Sequence, residues 1–431
     1  MSAKQPNIGG VVRGEILFIT DRRYWDASIG SEQRVAGLIR YLCRRELPIA
    51  VAYTGRLRRG DRRALRRFRA ACRNLVVFDR RLGLRLALLS LLGYLRPRSD
   101  IRAGEELFDA DAGALPGSPL ERISPRRRAF IGRLIRERAP RVVVVEFTRL
   151  TGLVWPRPAV HGEEPEYWLD LHDLLHERAE RTRGEGFRPA IDVNRETELR
   201  AISHFDVVIA IQAREAETVR QLLPEKTVLV VPYGVDIPTR PAQAARADGA
   251  VMRIGFLGGR DISNGAALDW FVENVWPALR AAQGSSVEFV VAGQICDRWT
   301  PPREHGIQIC GAIDSVDEFW PKIDVAINPV RFGSGLKIKN VEALAFGCAL
   351  LTTPVGAQGL EEASPDGLCI AERQQDWIDT LQAWQSDEAA RRKVGACGRR
   401  FAIKRLSEKA AYSAMAERLE AALGKYGEGR R

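Results

Sequence analysis

The chain has 431 residues, of which 45% are hydrophobic and 28% are charged. This length allows two domains with sizeable cores, and the composition excludes a disordered or fibrous chain. Because 66 lysines and arginines outnumber 55 acidic residues, the net charge of +11 favours anionic partners such as nucleotides, acidic lipid surfaces or nucleic acids.

The seven cysteines are scattered, with neither a Cys-x-x-Cys pair nor a histidine spacing suited to zinc. This pattern is typical of reduced cysteines in a cytosolic protein. The first residues, MSAKQPNIGG, lack the apolar core of a signal peptide, and no stretch of about eighteen uncharged apolar residues follows. We therefore expect a cytoplasmic protein, with peripheral contact at the inner face of the membrane as an open possibility.

The first predicted strand, 15–20, leads through a loop to a helix with apolar residues at helical spacing. This order is typical of a Rossmann-like opening. Gly30 ends the loop. It either lies at a ligand-binding cleft or only forms a turn. A second strand is predicted over 48–53.

Residues 56–102 are strongly basic, with many arginines against three aspartates. Within them lies an apolar stretch, 82–95, that is too short to span a bilayer and has arginines on both sides. Such a helix either lies on an anionic membrane or packs into the core with a solvated arginine face. Co-flotation with anionic liposomes at low salt distinguishes the two interpretations.

Further strands of the first domain are predicted over 141–147, 167–171 and 227–232. His172 directly follows the strand 167–171, at the sheet edge where ligands of open α/β folds bind. Both a cleft role and a structural role are open for it. The stretch 238–249 has the proline- and alanine-rich composition of a linker, so the first domain is assigned to 1–237.

A second Rossmann-like unit is predicted over 250–405. Its first strand, 251–257, ends at Gly258-Gly259-Arg260, and further strands are expected at 287–292, 307–310 and 324–328. Helices complete the chain, and the last segment, 406–431, is expected to cross back to the first domain.

The stretch after the strand 324–328 has the clearest sequence pattern of a binding site in the chain. Gly333, Ser334 and Gly335 form a loop that leads into a helix, whose free N–H groups and dipole make a site for phosphate. Lys337 and Lys339 add positive charge in the first helical turn.

Two charged residues extend this predicted site. Arg331 lies at the strand end, just before the glycine loop. Glu342 lies further along the helix, where a carboxylate can accept two hydrogen bonds from a vicinal diol such as a ribose. Gly347 is placed to end the helix before the next strand.

The segment 333–361, GSGLKIKNVEALAFGCALLTTPVGAQGLE, resembles the nucleotide-sugar signature of family 4 of the retaining glycosyltransferases. The family pattern has a Glu, seven residues and a second Glu, which is Glu342 here. Ser334 occupies the position of the first Glu, which approaches the donor sugar in the family, so this is a departure. The resemblance implies the GT-B architecture, an α/β fold of two Rossmann-like domains with parallel sheets facing across a cleft.

The resemblance also implies a reaction. The enzyme would be of hexosyltransferase type and would move a sugar from a nucleotide-diphosphate sugar to a hydroxyl acceptor, with retention of the anomeric configuration. The setting would be cell-surface polysaccharide or glycolipid assembly. Arg260 and Lys337 would stabilise the leaving diphosphate, and His172 would order the sugar or the acceptor. Gly259 belongs to the nucleotide-binding loops. No metal and no further cofactor is expected, because lysine and arginine supply the positive charge.

Two alternatives belong to other functional classes. Ser334 could mark a lost sugar site, which would leave a catalytically inactive GT-B-like binding scaffold. The basic charge alone would also suit a nucleic-acid-binding protein, but interleaved aromatic residues and a helix-turn-helix pattern are missing from the sequence.

Overall fold

The computed structural model describes residues 15–26, 29–58, 60–72, 75–79, 123–160, 162–239, 251–301 and 306–424. The predicted apolar stretch 82–95 and most of the predicted linker, 240–249, lie outside these ranges. Of the basic region, the helix Asp61–Ala71 is described, and its arginines are exposed. The membrane contact therefore stays a prediction. No described helix is long and apolar enough to cross a bilayer.

The first domain contains a seven-stranded sheet in the order β3-β2-β1-β4-β5-β6-β7, and every pair of neighbours is parallel. Its strands are β1 (Ile16–Thr20), β2 (Ile49–Tyr53), β3 (Val76–Asp79), β4 (Val142–Glu146), β5 (Glu166–Asp170), β6 (Val207–Ala210) and β7 (Thr227–Val230). Its helices are α1 (Gly30–Arg44), α2 (Asp61–Ala71), α3 (Pro125–Arg138), α4 (Leu175–Gly184), α5 (Arg195–Ile202) and α6 (Ala213–Leu222).

The second domain repeats this plan with a six-stranded parallel sheet in the order β10-β9-β8-β11-β12-β13. Its strands are β8 (Met252–Leu257), β9 (Val287–Ala292), β10 (Ile307–Gly311), β11 (Val325–Asn328), β12 (Ala349–Thr352) and β13 (Cys369–Ile370). Its helices are α7 (Ile262–Asn274), α8 (Trp276–Gln283), α9 (Ile338–Phe346), α10 (Gln374–Ser386) and α11 (Glu388–Phe401).

Each sheet is buried on both faces, as its continuous apolar strands predict. In β1, Ile16 and Phe18 pack on one side with α1, whereas Leu17 and Ile19 pack on the other side with α3. In the second domain, the two faces of the sheet likewise belong to two separate clusters. Helices therefore cover both sides of each sheet, and only the strand ends are left for a ligand.

The chain crosses between the domains twice, and the two crossings run side by side. After a π-helical turn, Ala402–Leu406, the last helix, α12 (Glu408–Gly424), packs into the core of the first domain beside α1. Val235 on the first crossing donates its N–H to the carbonyl of Leu406 on the second, at 2.8 Å. The Tyr412 hydroxyl also accepts the N–H of Gly234, at 2.9 Å.

A buried ion pair lies at the centre of the first domain. The guanidinium of Arg34 on α1 donates to both carboxylate oxygens of Asp170 at the end of β5, at 2.9 and 3.1 Å. It also donates to the carbonyls of Val231 and Pro232, at 2.8 and 3.0 Å. Both side chains are almost completely buried. The Arg34 side chain thus links the first helix, the end of β5 and the start of the first crossing.

Asp170→Ala is expected to destabilise the protein strongly, because it leaves the buried guanidinium of Arg34 without a counter-charge. Removing one partner of such a pair typically costs about 3–5 kcal/mol. Urea unfolding followed by circular dichroism measures the loss.

Glu420→Ala is the control, since it breaks an exposed pair with Arg45 between α12 and α1. Exposed ion pairs contribute little, so this variant should unfold like the wild type. Equal losses in the two variants would contradict the central role of the Arg34–Asp170 pair.

Candidate functional site

The two domains meet at the carboxyl ends of their parallel strands. The order of each sheet reverses direction beside its first strand, which is the switch point where ligands of such folds bind. The Ser334 hydroxyl of the second domain donates to the Asp173 carboxylate of the first, at 2.5 Å. A Cβ on Gly335 would lie 3.3 Å from the carbonyl oxygen of His172. The predicted glycine loop therefore faces the predicted histidine directly.

The loop has the conformation that its sequence predicts. Gly333 and Gly335 have φ angles of 118° and 74°, in the left-handed region that other residues rarely adopt. Helix α9 then runs from Ile338 to Phe346, and it is followed by Gly347, whose φ of 80° is that of a C-cap glycine. The turn thus brings the N-terminus of α9 to the interface.

The two predicted lysines occupy different places around this turn. Lys337 bends back, and its Nζ donates to the carbonyls of Ser334 and Gly335, at 3.0 and 2.7 Å. Burial lowers its pKa to about 8, although Glu215 and Asp173 oppose the shift. In this position Lys337 closes the glycine loop and places a cation beside two first-domain carboxylates.

Lys339 points toward the loop after β8. Its Nζ donates to Asn264 Oδ1 at 2.6 Å and lies 4.0 Å above the centre of the Phe256 ring. Asn264 in turn donates to the carbonyl of Gly259, at 3.1 Å. Burial, and then the charge of Lys337, lower the pKa of Lys339 to about 7. Lys339 thus connects α9, through Asn264, with Gly259 in the loop after β8.

Glu342 is buried on α9, with 3% of its surface exposed. Trp320 Nε1 lies 3.5 Å from Glu342 Oε2, which is a long hydrogen bond. Burial raises the pKa of Glu342 to about 7, while Trp320 and Lys339 oppose the shift. A weakly bonded buried carboxyl group has acceptor capacity left for a ligand.

His172 is held in an unusual conformation on the first-domain side. Its φ is 61°, and that of Phe147, which follows β4, is 74°. The two rings stack with their centres 3.9 Å apart. His172 Nε2 lies 2.6 Å from Glu146 Oε2. Non-glycine residues with such backbone angles are often found at functional sites.

Glu146, Asp170 and His172 lie close enough together to be considered as metal ligands. Arg34, however, already binds both oxygens of Asp170, and Glu146 is bonded to the histidine ring. Because the guanidinium of Arg34 already occupies this cluster, the three residues form a hydrogen-bonded network rather than a site suited to a metal cation.

The first domain contributes contacts that sequence reasoning did not select. Arg181 on α4 donates to the carbonyl of Gly333, at 3.1 Å, and Arg178 pairs with Asp173, at 2.9 Å. Glu215, at the start of α6, is buried, and burial raises its pKa to about 8. Glu146 ends β4 and Asp173 follows β5. These positions could have indicated both residues, because the ends of neighbouring parallel strands lie together.

Three predicted residues lie at the margin of this cluster. Arg260 pairs with Asp297, and about half of its side chain is exposed. Arg331 is exposed, with its guanidinium 5.8 Å from the centre of the Trp270 ring. Gly30, at the start of α1, faces Ile338, whose Cδ1 would lie 2.9 Å from an added Cβ. The structure therefore groups His172, Ser334, Gly335 and Lys337, with Gly30 beside α9.

Comparison with protein families gives one match, in which residues 252–387 fit the model described as Glycosyl transferases group 1. This range lies within the second domain and includes the glycine loop and Glu342. A search of curated protein sequences gave no match.

Solved structures resemble the whole chain. A variant of TarM from S. aureus, in complex with fondaparinux, α-GlcNAc-glycerol and UDP, has a TM-score of 0.68 and 8% identity, over 94% of this chain and 99% of that one. Sucrose-phosphate synthase from Thermosynechococcus elongatus has a TM-score of 0.63 and 13% identity, over 97% and 100%. HepE from Anabaena, in complex with UDP and glucose, has a TM-score of 0.62 and 13% identity, over 95% and 100%.

At these identities the likeness concerns the fold. The predicted architecture is confirmed: the chain has the GT-B fold, with two Rossmann-like domains around a cleft.

Gly335→Ala is expected to destabilise the protein by about 1 kcal/mol or more, because a Cβ is strained at this φ. Gly259→Ala is a matched control, since an added Cβ there meets no neighbour within 4 Å. Thermal unfolding compares them, and equal melting temperatures would show that the loop does not depend on its glycine.

Proposed function

We propose that the protein is a retaining glycosyltransferase that moves a hexose from a nucleotide-diphosphate sugar to a hydroxyl acceptor. The observation that carries the proposal is the glycine loop 333–335, which leads into α9 with Lys337, Lys339 and Glu342 and faces His172. The match of residues 252–387 to glycosyltransferases supports it. So do structural relatives that were solved with UDP.

The nucleotide would bind to the second domain. The ribose hydroxyls would donate to Glu342, and the diphosphate would lie at the N–H groups around Gly335, at the start of α9. Lys339 and Arg260 would supply positive charge to the diphosphate. Lys337 supports the loop from behind, through the two carbonyls that its Nζ contacts.

The costly step is departure of the nucleoside diphosphate, since negative charge develops on it as the glycosidic bond breaks. Fixed N–H donors and cations stabilise that charge more in the transition state than in the ground state. These groups supply the charge that a metal would otherwise provide, so we propose a reaction without a metal or further cofactor.

Retention would occur on one face of the sugar. Glu146 bonds His172, and Asp173 bonds Ser334 and Arg178, so we propose that neither residue acts as a nucleophile. A double displacement would need a carboxylate that is free to attack. The leaving phosphate is then the base that accepts the proton of the acceptor hydroxyl, and His172 orders the sugar or the acceptor.

Assembly of cell-surface polysaccharide or glycolipid, at the cytoplasmic face of the membrane, fits this reaction. The exposed arginines of α2 would favour an anionic surface there. The alternative function is a catalytically inactive binding scaffold. Among the described residues, the feature that favours it is Ser334, which occupies the position of the family's first Glu.

Glu342→Gln is expected to weaken nucleotide binding at least tenfold, since hydrogen bonds to a charged group contribute about 1.5–3 kcal/mol. We would measure thermal stabilisation by UDP, GDP and ADP and by UDP-glucose, UDP-N-acetylglucosamine, GDP-mannose and ADP-glucose. A ligand at about 100 times its Kd adds about 2.7 kcal/mol to the free energy of unfolding, so a tenfold loss is measurable.

Glu388→Gln, which changes a partly exposed carboxylate on α11, is the control and should bind like the wild type. Stabilisation of the wild type by one nucleotide, and not of Glu342→Gln, would support the proposal. If no ligand of the panel stabilised the wild type, the proposal would fail and the scaffold would be favoured.

Binding of the nucleoside diphosphate should strengthen as pH falls from about 9 to about 7. The pKa of Lys337 is lowered to about 8 and that of Lys339 to about 7, so both gain charge over this range. The charged forms attract the diphosphate, so binding takes up protons. Below about pH 7 the trend should weaken, because Glu342, with a pKa of about 7, then loses the charge that accepts the ribose.

Titration calorimetry at pH 7, 8 and 9, in two buffers of different ionisation enthalpy, measures both the affinity and the proton uptake. Lys339→Arg keeps its charge throughout, so its affinity should depend less on pH. Proton release on binding, or equal affinity at pH 7 and 9, would contradict the prediction.

A further inference from the structure

The first domain contains two buried histidine–glutamate pairs that differ in their bonding. Glu198 accepts from His176 Nδ1 at 2.7 Å and from the backbone N–H groups of Leu175 and His176, both at 2.8 Å. These bonds fix the start of α4, as a structural pair would. Glu146, in contrast, has the His172 ring as its one hydrogen-bond partner among the described residues.

The surroundings of His172 hold its ring in place without using its second nitrogen. Phe147 stacks on the ring, and the guanidinium groups of Arg22 and Arg149 lie 4.5 and 5.0 Å from the centre of Phe147. Nε2 is bonded to Glu146, and Nδ1 makes no hydrogen bond with any described residue. Nδ1 is therefore the nitrogen available to a ligand.

The burial of the pair indicates which of the two side chains carries the proton between them. Burial raises the pKa of Glu146 to about 8, against the charges of Arg34 and Arg22, while Asp21 adds to the rise. Burial lowers the pKa of His172 to about 4, and Arg34 and Arg22 act in the same direction. Asp170 and Asp173 oppose that change. Glu146 is completely buried, and its Oε1 has no hydrogen-bond partner among the described residues, so the uncharged form of the pair is favoured. The carboxyl proton is then donated to Nε2, the one partner of the carboxyl group.

We propose that Glu146 is a positioning residue that donates its O–H to His172 Nε2 and so fixes the ring with the proton on Nδ1. The Nδ1–H then donates to an oxygen of the bound nucleotide sugar. The tautomer is inferred from the burial and the hydrogen bonds of this pair, in which Glu146 Oε1 has no partner among the described residues, whereas its use on a sugar rests on the proposed function.

An uncharged donor suits this place. An imidazolium would add a third positive charge next to Arg34 and Arg22, both of which lie near the ring. A histidine with the proton on Nε2 would offer the ligand only an acceptor at Nδ1. The identity of the group at residue 146 thus decides whether the cleft has a donor or an acceptor at this point.

Nitrogen NMR of protein labelled only in its five histidines tests the tautomer, with His172→Gln to assign the signal. The wild type should show His172 with its proton on Nδ1. Glu146→Gln keeps a donor, its amide N–H, and should preserve this tautomer. Glu146→Ala removes the donor, so the signal should move to the Nε2–H form.

A second experiment tests whether the Nδ1–H of His172 acts on the substrate. It measures release of nucleoside diphosphate from the nucleotide sugar of the panel above that stabilises the protein most. Glu146→Ala should lower kcat/KM about 10- to 100-fold, by analogy with the loss of a group that orients a metal-bound imidazole. Glu146→Gln should recover most of the activity, and both variants should bind the nucleoside diphosphate like the wild type. Glu198→Gln is the matched control, and it should change neither the His172 signal nor kcat/KM.

A wild-type His172 signal with the proton on Nε2 would by itself overturn the inference, and so would an unchanged tautomer in Glu146→Ala. An altered tautomer with unchanged kcat/KM would refute its role toward the sugar and leave the proposed function intact. Failure of every nucleotide to bind would instead overturn the proposed function, and with it the role toward the sugar.

Discussion

The geometry of the cleft depends on the buried Arg34–Asp170 ion pair. Asp170 ends β5 two residues before His172, and Arg34 also binds the carbonyls of Val231 and Pro232, where the chain leaves the first domain. A charge in a low-dielectric interior requires close partners, so these segments cannot shift independently of the guanidinium. The pair therefore sets the position of the histidine ring relative to the interdomain crossing.

The glycine loop owes its position to both domains. Glycines at positive φ give the loop its shape but leave it intrinsically free to adopt others. Ser334 is bonded to Asp173, Gly333 to Arg181, and Lys337 to the loop carbonyls. Separation of the domains would remove the first two of these restraints, so the approach of the first domain helps to order the glycine loop.

Local patterns were sufficient for much of the fold. Alternating strand and helix periodicities predicted two Rossmann-like units, and the turn into α9 was predicted together with its C-cap at Gly347. The short edge strands β3 and β13 were missed because four and two residues carry little periodic signal. Arg34 was also missed, since an arginine on an amphipathic helix has the pattern of a solvated side chain until its partner, 136 residues away, is known.

The same limit applies to the site. The loop, Glu342 and His172 could be selected from sequence because strand ends and helix starts are locally encoded. The bond between Glu146 and His172, and the contact of Ser334 with Asp173, depend on which strands become neighbours. The outward position of Arg260 depends on Asp297, which follows a different strand.

The packing of α12 has a consequence for biosynthesis. Its residues Ala411, Tyr412, Met415 and Leu419 belong to the same core as Ile16 and Leu38. On the ribosome, the first domain therefore emerges with one face of α1 uncovered, and that apolar face is closed only after the entire second domain has been translated. The second domain can complete its core first, so the order of maturation along this chain is the reverse of the order of synthesis.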